Sequence, residues 1–378
     1  MKSLVVLQKA PDYDRERIEA RMQELLAPLG GMEAFVRPGQ KVLLKPNMLA
    51  GKSPEKAVTT HPEVVRAVIR LAQRAGGVVA VGDSPGVGSP LQVAERCGIL
   101  QVVKETGASF APFRESVRVR PPGRAFQELE VARDVLEAEV LINLPKLKTH
   151  QMMGMTCGVK NLFGAVVGMR KPRLHLQAGS DKGAFALMLL ELAEFLKPAL
   201  TVVDAVVAME GDGPGSGDPV AAGFLLAGIN PLAIDAVAAR LLGLPAEEVW
   251  TLLVGRRTGR PGARLEEIEL AGTPLAELAV PGFRPAKKTA VNFGLPLFLA
   301  RPLRRSLSAR PSVDPANCEL CGLCLEHCPP KAMTISRGRL KIDPEACIEC
   351  FCCQELCPKG ALLTRQGLLL RLSRFIGG

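Results

Sequence analysis

The chain has 378 residues, 47% of them hydrophobic, which is enough for two or three domains with buried cores and too apolar for a disordered polymer. A formal net charge of +10 raises the question of nucleic acid, but one Trp and one Tyr supply few base-stacking platforms, so no nucleic-acid partner is expected. Eleven cysteines stand mostly in cluster spacing, and the short N-terminal LVVLQ before charged PDYDRER does not read as a secretory leader, so a reduced, cytoplasmic setting is expected.

Taken in chain order, KVLLKPN (41–47) reads as a strand and HPEVVRAVIRLAQRAGG as a helix opened by His61-Pro62 and closed by glycines. VVAVGDS (78–84) is the next strand, PLQVAERCGI the next helix, and AEVLINLPK (138–146) a strand with an extended run. A helix follows around 184–196, then strands in ALTVVDAVVAM and GFLLAGIN, then a helix in PLAIDAVAARLLGL. Strands alternating with helices predict an α/β fold, a mostly parallel sheet with helices on both faces. The most apolar stretch is interrupted by Glu191, Glu194, Lys197, Pro198 and Asp204, so it does not offer the ~20 uninterrupted apolar residues of a membrane span.

In open α/β sheets ligands bind beyond the carboxyl ends of the strands. The residues following the strands are Lys45 and Asn47, Asp83 and Ser84, Asn143 through His150, Glu210 and Asp212, and Asn230. Glycine-rich GDSPGVG (82–88) and GDGPGSGD (211–218) match neither GxGxxG nor a P-loop, and read as loops first and anion sites second. The α/β region is expected to span 1–283, followed by a basic, Pro-rich linker at 284–313. That linker carries Arg284, Lys287, Lys288, Arg301, Arg304, Arg305 and Arg310 with no acidic residue, and reads as a solvated or partner-docking segment.

Residues 314–366 carry the most specific signal. Cys318, Cys321, Cys324 and Cys328 stand in C-x2-C-x2-C-x3-C-P spacing, and Cys347, Cys350, Cys353 and Cys357 repeat it, predicting a small α+β two-cluster ferredoxin domain with two 4Fe-4S clusters. In this pattern the fourth cysteine of each run serves the other cluster, so the expected sets are Cys318, Cys321, Cys324, Cys357 and Cys347, Cys350, Cys353, Cys328. Cys352 breaks the register and reads as a buried spare thiol, and His327 as structural. The tail, 367–378, reads as an amphipathic helix with Arg371 and Arg374 on its polar side.

The set KPNML, TTHPEVVRAVI, GDSPG, INLPKLKTHQMMGMTCGVKNLFGAVVG, VVDAVVAMEGDGPGSGDP and GINPLAIDAVAARLLG resembles domain-of-unknown-function family 362, whose members are often fused to a two-cluster ferredoxin. The resemblance covers nearly the whole chain and implies a cytosolic iron–sulfur protein with redox activity, without fixing a reaction.

The chemistry is therefore argued from residues. Lys146, Lys148, Lys160 and His150 near one strand end, with Lys45 and His61 at a neighbouring one, predict a cationic pocket for a carboxylate or phosphate. Asn47, Asn143 and Asn161 would orient the ligand, with Asp83 and Glu210 at the same edge. His150, and secondarily His175, are candidate general acids. Cys157 reads either as a nucleophile or proton donor beside Lys160, or as buried filler. Glu210, Asp212, Asp83 and Asp204 could instead gather a divalent cation. The expected function is a ferredoxin-coupled reductase that passes electrons to an anionic small molecule and receives them from a redox partner such as a ferredoxin or flavoprotein. The alternatives are a non-enzymatic electron carrier, or a protein that handles a metal, a tetrapyrrole or a similar cofactor.

Overall fold

A computed structural model of the chain describes residues 2–287 and 308–368 apart from 87, 122, 124 and 169, together with 306 and 370. Lys288, Arg301, Arg304 and Arg305 of the expected linker, and Arg371 and Arg374 of the expected tail helix, lie outside the described residues.

Strands β1 (Ser3–Lys9), β2 (Lys41–Pro46), β3 (Val78–Val81), β4 (Ser109–Phe110), β5 (Ser116–Val119), β6 (Leu129–Ala132), β7 (Val140–Leu144), β8 (Lys146–His150), β9 (Gly154–Thr156), β10 (Leu200–Glu210), β11 (Asp218–Gly228) and β12 (Ile268–Gly272) form the large region. Ten of them make one sheet, ordered β12-β1-β11-β10-β7-β2-β3-β4, with β8 on β10 and β9 on β8. The pairings from β10 through β7, β2 and β3 to β4 are all parallel, as are β1 with β12 and β10 with β8. The sheet is mostly parallel, as the alternation of periods predicts.

Each central strand is apolar on both sides because helices cover both. Val42, Leu44, Val140 and Ile142 join the core under helices α1 (Arg15–Leu26), α2 (Pro62–Arg74), α3 (Pro90–Arg96) and α4 (Ile99–Thr106). Leu43, Leu141 and Val203 alternate to the other face. There they meet α8 (Lys182–Leu196), α9 (Pro231–Leu241) and α10 (Trp250–Arg257), the eighth to tenth helices after the short α5 (Arg133–Glu137), α6 (Gly158–Asn161) and α7 (Arg170–Ala178). Among the described residues no helix is long and apolar enough to cross a membrane.

Three expectations change. Strand β11 runs antiparallel to both neighbours, so Asn230 lies at the opposite sheet edge from the other strand-end residues and caps α9 through Leu232 and Ala233 N–H. The helix expected over PLQVAERCGI breaks at left-handed Gly98 into α3 and α4. The far end of the expected linker is strand β13 (Ala309–Val313), which pairs antiparallel with β16 (Leu362–Gln366) and so belongs with the cysteine module.

The module also contains hairpin β14 (Met333–Ser336) and β15 (Arg339–Ile342), and helices α11 (Leu323–Glu326) and α12 (Cys352–Leu356). Its sequence repeat is repeated in the backbone: Leu320 and Gly322 of one cysteine loop, and Glu349 and Phe351 of the other, all have positive φ. Glycine enters this region without strain, whereas Phe351 does so at a cost of roughly 1–3 kcal/mol. Its ring is 1% exposed and lies in the core of the α/β body, where burial offsets that strain and fixes the module to the sheet. Lys52 Nζ donates to Pro358 O at 2.6 Å across the same junction.

Candidate functional site between the sheet and the cysteine module

Strand β8 alternates faces, so Lys146, Lys148 and His150 form a row on one side while Leu147 enters the core. The row leads toward a cavity of about 90 Å³, partly open to solvent, at the carboxyl ends of the parallel strands. Asn47 after β2, Asp83 and Ser84 after β3, Lys148 and His150 of β8, and Lys160 and Asn161 of α6 line it. Lys171 and His175 of α7 complete the α/β side, and His327, Cys352, Glu355 and Leu356 of the cysteine module close the other.

Three asparagines hold the base of the site. Asn47 Nδ2 donates to Asn161 Oδ1 at 2.9 Å, and Asn161 Nδ2 donates to Asn143 Oδ1 at 2.8 Å. This chain ties the β2 loop, α6 and β7 into one rigid unit. Lys45, fully buried, pairs with Asp83 at 2.8 Å, and Met48 N–H donates to the other Asp83 oxygen at 2.7 Å. A Cβ on Gly164 would stand 2.0 Å from Asp83 Oδ1 and 2.6 Å from Lys45 Nζ, so this pair requires glycine there.

The cavity lysines are held differently. Lys148 Nζ donates to Val58 O at 2.6 Å and Asn47 Oδ1 at 3.1 Å, and burial pushes its pKa down to about 7. Lys171 Nζ donates to Ser84 O and to Pro85 O, and burial brings it down to about 7 as well. Lys160 Nζ lies 4.7 Å from the Phe163 ring centre and has no hydrogen-bond acceptor among the described residues; burial lowers its pKa too. Without a carboxylate in hydrogen-bond contact, these ammonium groups are under-compensated.

His150 Nδ1 accepts from Met152 N–H at 3.1 Å and Met153 N–H at 3.3 Å, which leaves the proton of the neutral ring on Nε2. Nε2 stands 3.1 Å from Glu355 Oε1 of α12, the residue through which the module reaches the row on β8. Burial lowers the His150 pKa against the pull of Glu355. Burial also opposes ionisation of Glu355, yet His150 and Lys160 hold its carboxyl down to about 2. His175, stacked on Phe185 at 4.2 Å, is pushed by burial to about 3 and stays neutral. Thr156 Oγ1 and His175 Nδ1, on residues of the cavity wall, are buried with no hydrogen-bond partner among the described residues, and His150 Nε2 and Glu355 Oε1 face each other without hydrogen-bond alignment.

Of the expected site residues, Asn47, Asp83, Lys148, His150, Lys160 and Asn161 line the cavity, with Lys45 and Asn143 one layer behind. Others stand elsewhere. Lys146 is buried against Asp204 at 2.9 Å and Tyr13 Oη at 2.7 Å. His61 caps α2, accepting from Glu63 N–H, and stacks on Tyr13 at 3.5 Å. Glu210 pairs with Arg284 at 2.7 Å. Cys157 is fully buried, and burial together with Asp235 pushes its thiol pKa well up, which removes it as a nucleophile. The acidic cation site does not assemble: Asp83, Asp204, Glu210 and Asp212 each pair with a different base, Lys45, Lys146, Arg284 and Lys287. Sequence reasoning missed Lys171 and Glu355. The first sits one residue into a helix of otherwise solvated basic residues, and the second inside a cysteine motif whose spacing announces a different chemistry.

Two smaller hollows fit the cluster expectation. Cys318, Cys321, Cys324 and Cys357 border one, and Cys328, Cys347, Cys350 and Cys353 border the other. In each, one sulfur receives a backbone amide: Ala361 N–H to Cys357 Sγ at 3.2 Å and Ala332 N–H to Cys328 Sγ at 3.3 Å. Among the described residues no three His, Cys, Asp or Glu side chains converge on a single-ion site; the thiols ring a larger space. Donor set, spacing and hollow suit a cubane better than the one tetrahedral ion of a zinc ribbon.

An α/β body carrying a ferredoxin-type cysteine module is an iron–sulfur protein. Residues 317–361 match the 4Fe-4S dicluster domain, and residues 42–240 match the domain of unknown function DUF362. The chain belongs to the DUF362 family. It is 39% identical over 297 residues to a thylakoid-associated protein of Synechocystis sp., across 78% of this chain and 92% of that protein. Among solved structures, lactate racemase apoprotein from Thermoanaerobacterium thermosaccharolyticum gives a TM-score of 0.40 at 12% identity over 65% of this chain. A protein from Thermotoga maritima gives 0.35 at 13% identity over 53% of this chain. The chain spans 57% and 52% of the lengths of those two structures.

Proposed function

We propose that the protein is a ferredoxin-coupled reductase acting on an anionic small molecule held in the cavity at the module boundary. One observation carries the reading: a single cavity is walled on one side by Lys148, Lys160 and Lys171 and on the other by Cys352, Glu355 and Leu356, next to the thiols of Cys350 and Cys353. In this reading Cys318, Cys321, Cys324 and Cys357 hold one 4Fe-4S cluster, and Cys328, Cys347, Cys350 and Cys353 a second. Bound clusters would supply electrons one at a time.

The remaining work falls to the chain's own groups. Lys148, Lys160 and Lys171 bind and orient the anion, with Asn47 holding Lys148 Nζ and tied to α6 through Asn161. His150 of the cavity wall is the proton donor, kept in the Nε2–H tautomer by the Met152 and Met153 amides, with Nε2 3.1 Å from Glu355 Oε1. Exposed Cys321, at the other cysteine group, suits entry of electrons from a redox partner protein. The same exposure supports the second reading, an electron carrier without a substrate. A cytoplasmic location is part of the proposal; the Synechocystis relative's thylakoid association is compatible with peripheral attachment.

The test is anaerobic reduction of the cluster-loaded protein followed by challenge with anionic metabolites, reading cluster reoxidation. The wild type is expected to respond to a subset of them, and Lys148→Met to lose the response by more than 100-fold while keeping its iron, sulfide and visible spectrum. An undiminished response in Lys148→Met removes the cavity from the reaction. A wild type reoxidised only by partner proteins establishes the carrier instead.

A further inference from the structure

We infer that the cavity is shaped and charged for a dianionic organic ligand with an apolar body, gripped by Lys148, Lys160 and Lys171 and resting on Phe163 and Leu356. This rests on the reading of the cavity as a ligand site and narrows what enters it.

The charge balance of the wall is the first support. Asp83 is matched by Lys45 at 2.8 Å, which leaves Lys148, Lys160 and Lys171 against Glu355: with the three lysines protonated, as a bound anion would hold them, three positive groups face one negative, a surplus of two. His175 adds nothing, since burial brings it down to about 3, and burial disfavours the charged form of His150. Lys148 is buried and Lys160 and Lys171 are half-buried, and desolvating ammonium groups without carboxylate partners favours an anionic counter-charge.

Donor counting gives the second support. An ammonium group has three N–H donors. Lys148 and Lys171 each direct theirs at two protein oxygens, so each retains a donor, and all those of Lys160 are free of acceptors among the described residues. Thr156 and His175 of the same wall each carry a buried polar atom, Oγ1 and Nδ1, without a hydrogen-bond partner among the described residues.

The third support is the apolar part. Leu49, Phe163, Pro172, Pro214 and Leu356 contribute much of the lining, so a ligand that covers them needs an apolar surface of its own. Apolar walls with a few convergent polar groups are characteristic of sites for organic ligands. Phosphate alone would leave that surface wet.

Anaerobic titration calorimetry on the full-length, cluster-loaded protein at pH 7 and low salt tests this with terephthalate and phenylsuccinate as dianions, benzoate as monoanion, and inorganic phosphate. At least one organic dianion is expected to bind 30-fold or more tightly than benzoate and phosphate. Lys160→Met should weaken it tenfold or more with the cluster spectrum unchanged. Lys171→Met, scored by the same spectrum, replaces that variant if it does not fold. Equal affinities for mono- and dianions, phosphate binding as tight as the organic dianions, or an unaltered affinity in the folded variant overturns the inference. Binding is read without electron transfer, so the two readings fail separately. Dianions that bind but never reoxidise the reduced protein remove the reductase and keep the site. Reoxidation by monoanions alone, with no dianion preference, removes the dianion site and keeps the reductase.

Discussion

Lys146 and Lys148 stand two residues apart on the same face of β8, both essentially without solvent exposure, yet their surroundings are opposite. Lys146 has a carboxylate, Asp204 at 2.9 Å, and a phenol, Tyr13, whose hydroxyl also donates to Asp204 at 2.7 Å. Every group in that cluster is satisfied, and it braces the α1 entry loop against β10. Lys148 has only neutral oxygens and opens on the cavity. The difference teaches that buried lysines with carboxylates hold the fold here, while those without them face a space that a ligand can neutralise.

The comparison breaks most visibly at its structural end. Asp204→Asn would leave Lys146 buried without a counter-charge, an error expected to cost about 3–5 kcal/mol. Anaerobic urea unfolding measures it, and a change below 1 kcal/mol would mean that the pair is not structural. Next comes Gly164→Ala, whose Cβ would press on both Asp83 and Lys45. Overpacking of this kind should destabilise by about 1–3 kcal/mol and shift the cavity wall, seen as lost midpoint together with lost anion binding.

The pH dependence sharpens the same contrast. Burial lowers Lys148 from 10.5 to about 7 in the folded chain, so between these values the unfolded chain holds a proton that the folded chain does not. Stability of the ligand-free protein should therefore rise with pH across that window, by no more than about 1.4 kcal/mol per unit from this one lysine. Urea midpoints at pH 7, 8 and 9 check the sign, and Lys148→Met should flatten the slope. Lys160→Met is expected to leave ligand-free stability unchanged or raise it by up to about 1 kcal/mol, since it removes a desolvated charge with no hydrogen-bond acceptor among the described residues. The smallest effect belongs to Glu210→Gln. Its partner Arg284 is 59% exposed, so the loss should stay below about 1 kcal/mol with anion binding unaltered.

Much of this was readable beforehand. The alternation of strand and helix periods gives the parallel sheet, His61-Pro62 gives the start of α2, and ligand binding beyond strand ends directs attention to Asn47, Asp83, Lys148 and His150. The reading went astray where a side chain's role depends on a partner far away in sequence. Nothing local separates Lys146 from Lys148, because Asp204 comes 58 residues after Lys146. Strand direction failed at β11 for a related reason: a strand returning through a glycine-rich turn has the same composition as one returning through a helix.

By itself the sequence determined the periodicities that make an α/β body and the cysteine spacing that makes a cluster module, because both are set by neighbours within a few turns of chain. Only the tertiary structure decided which lysines receive carboxylates and that Glu355 and Cys352 of the module close a cavity on the sheet. The physical reason is that electrostatic compensation acts through space. Whether a buried charge is matched depends on which segments pack together, and Phe351 in the body's core, not any motif, brings these two together.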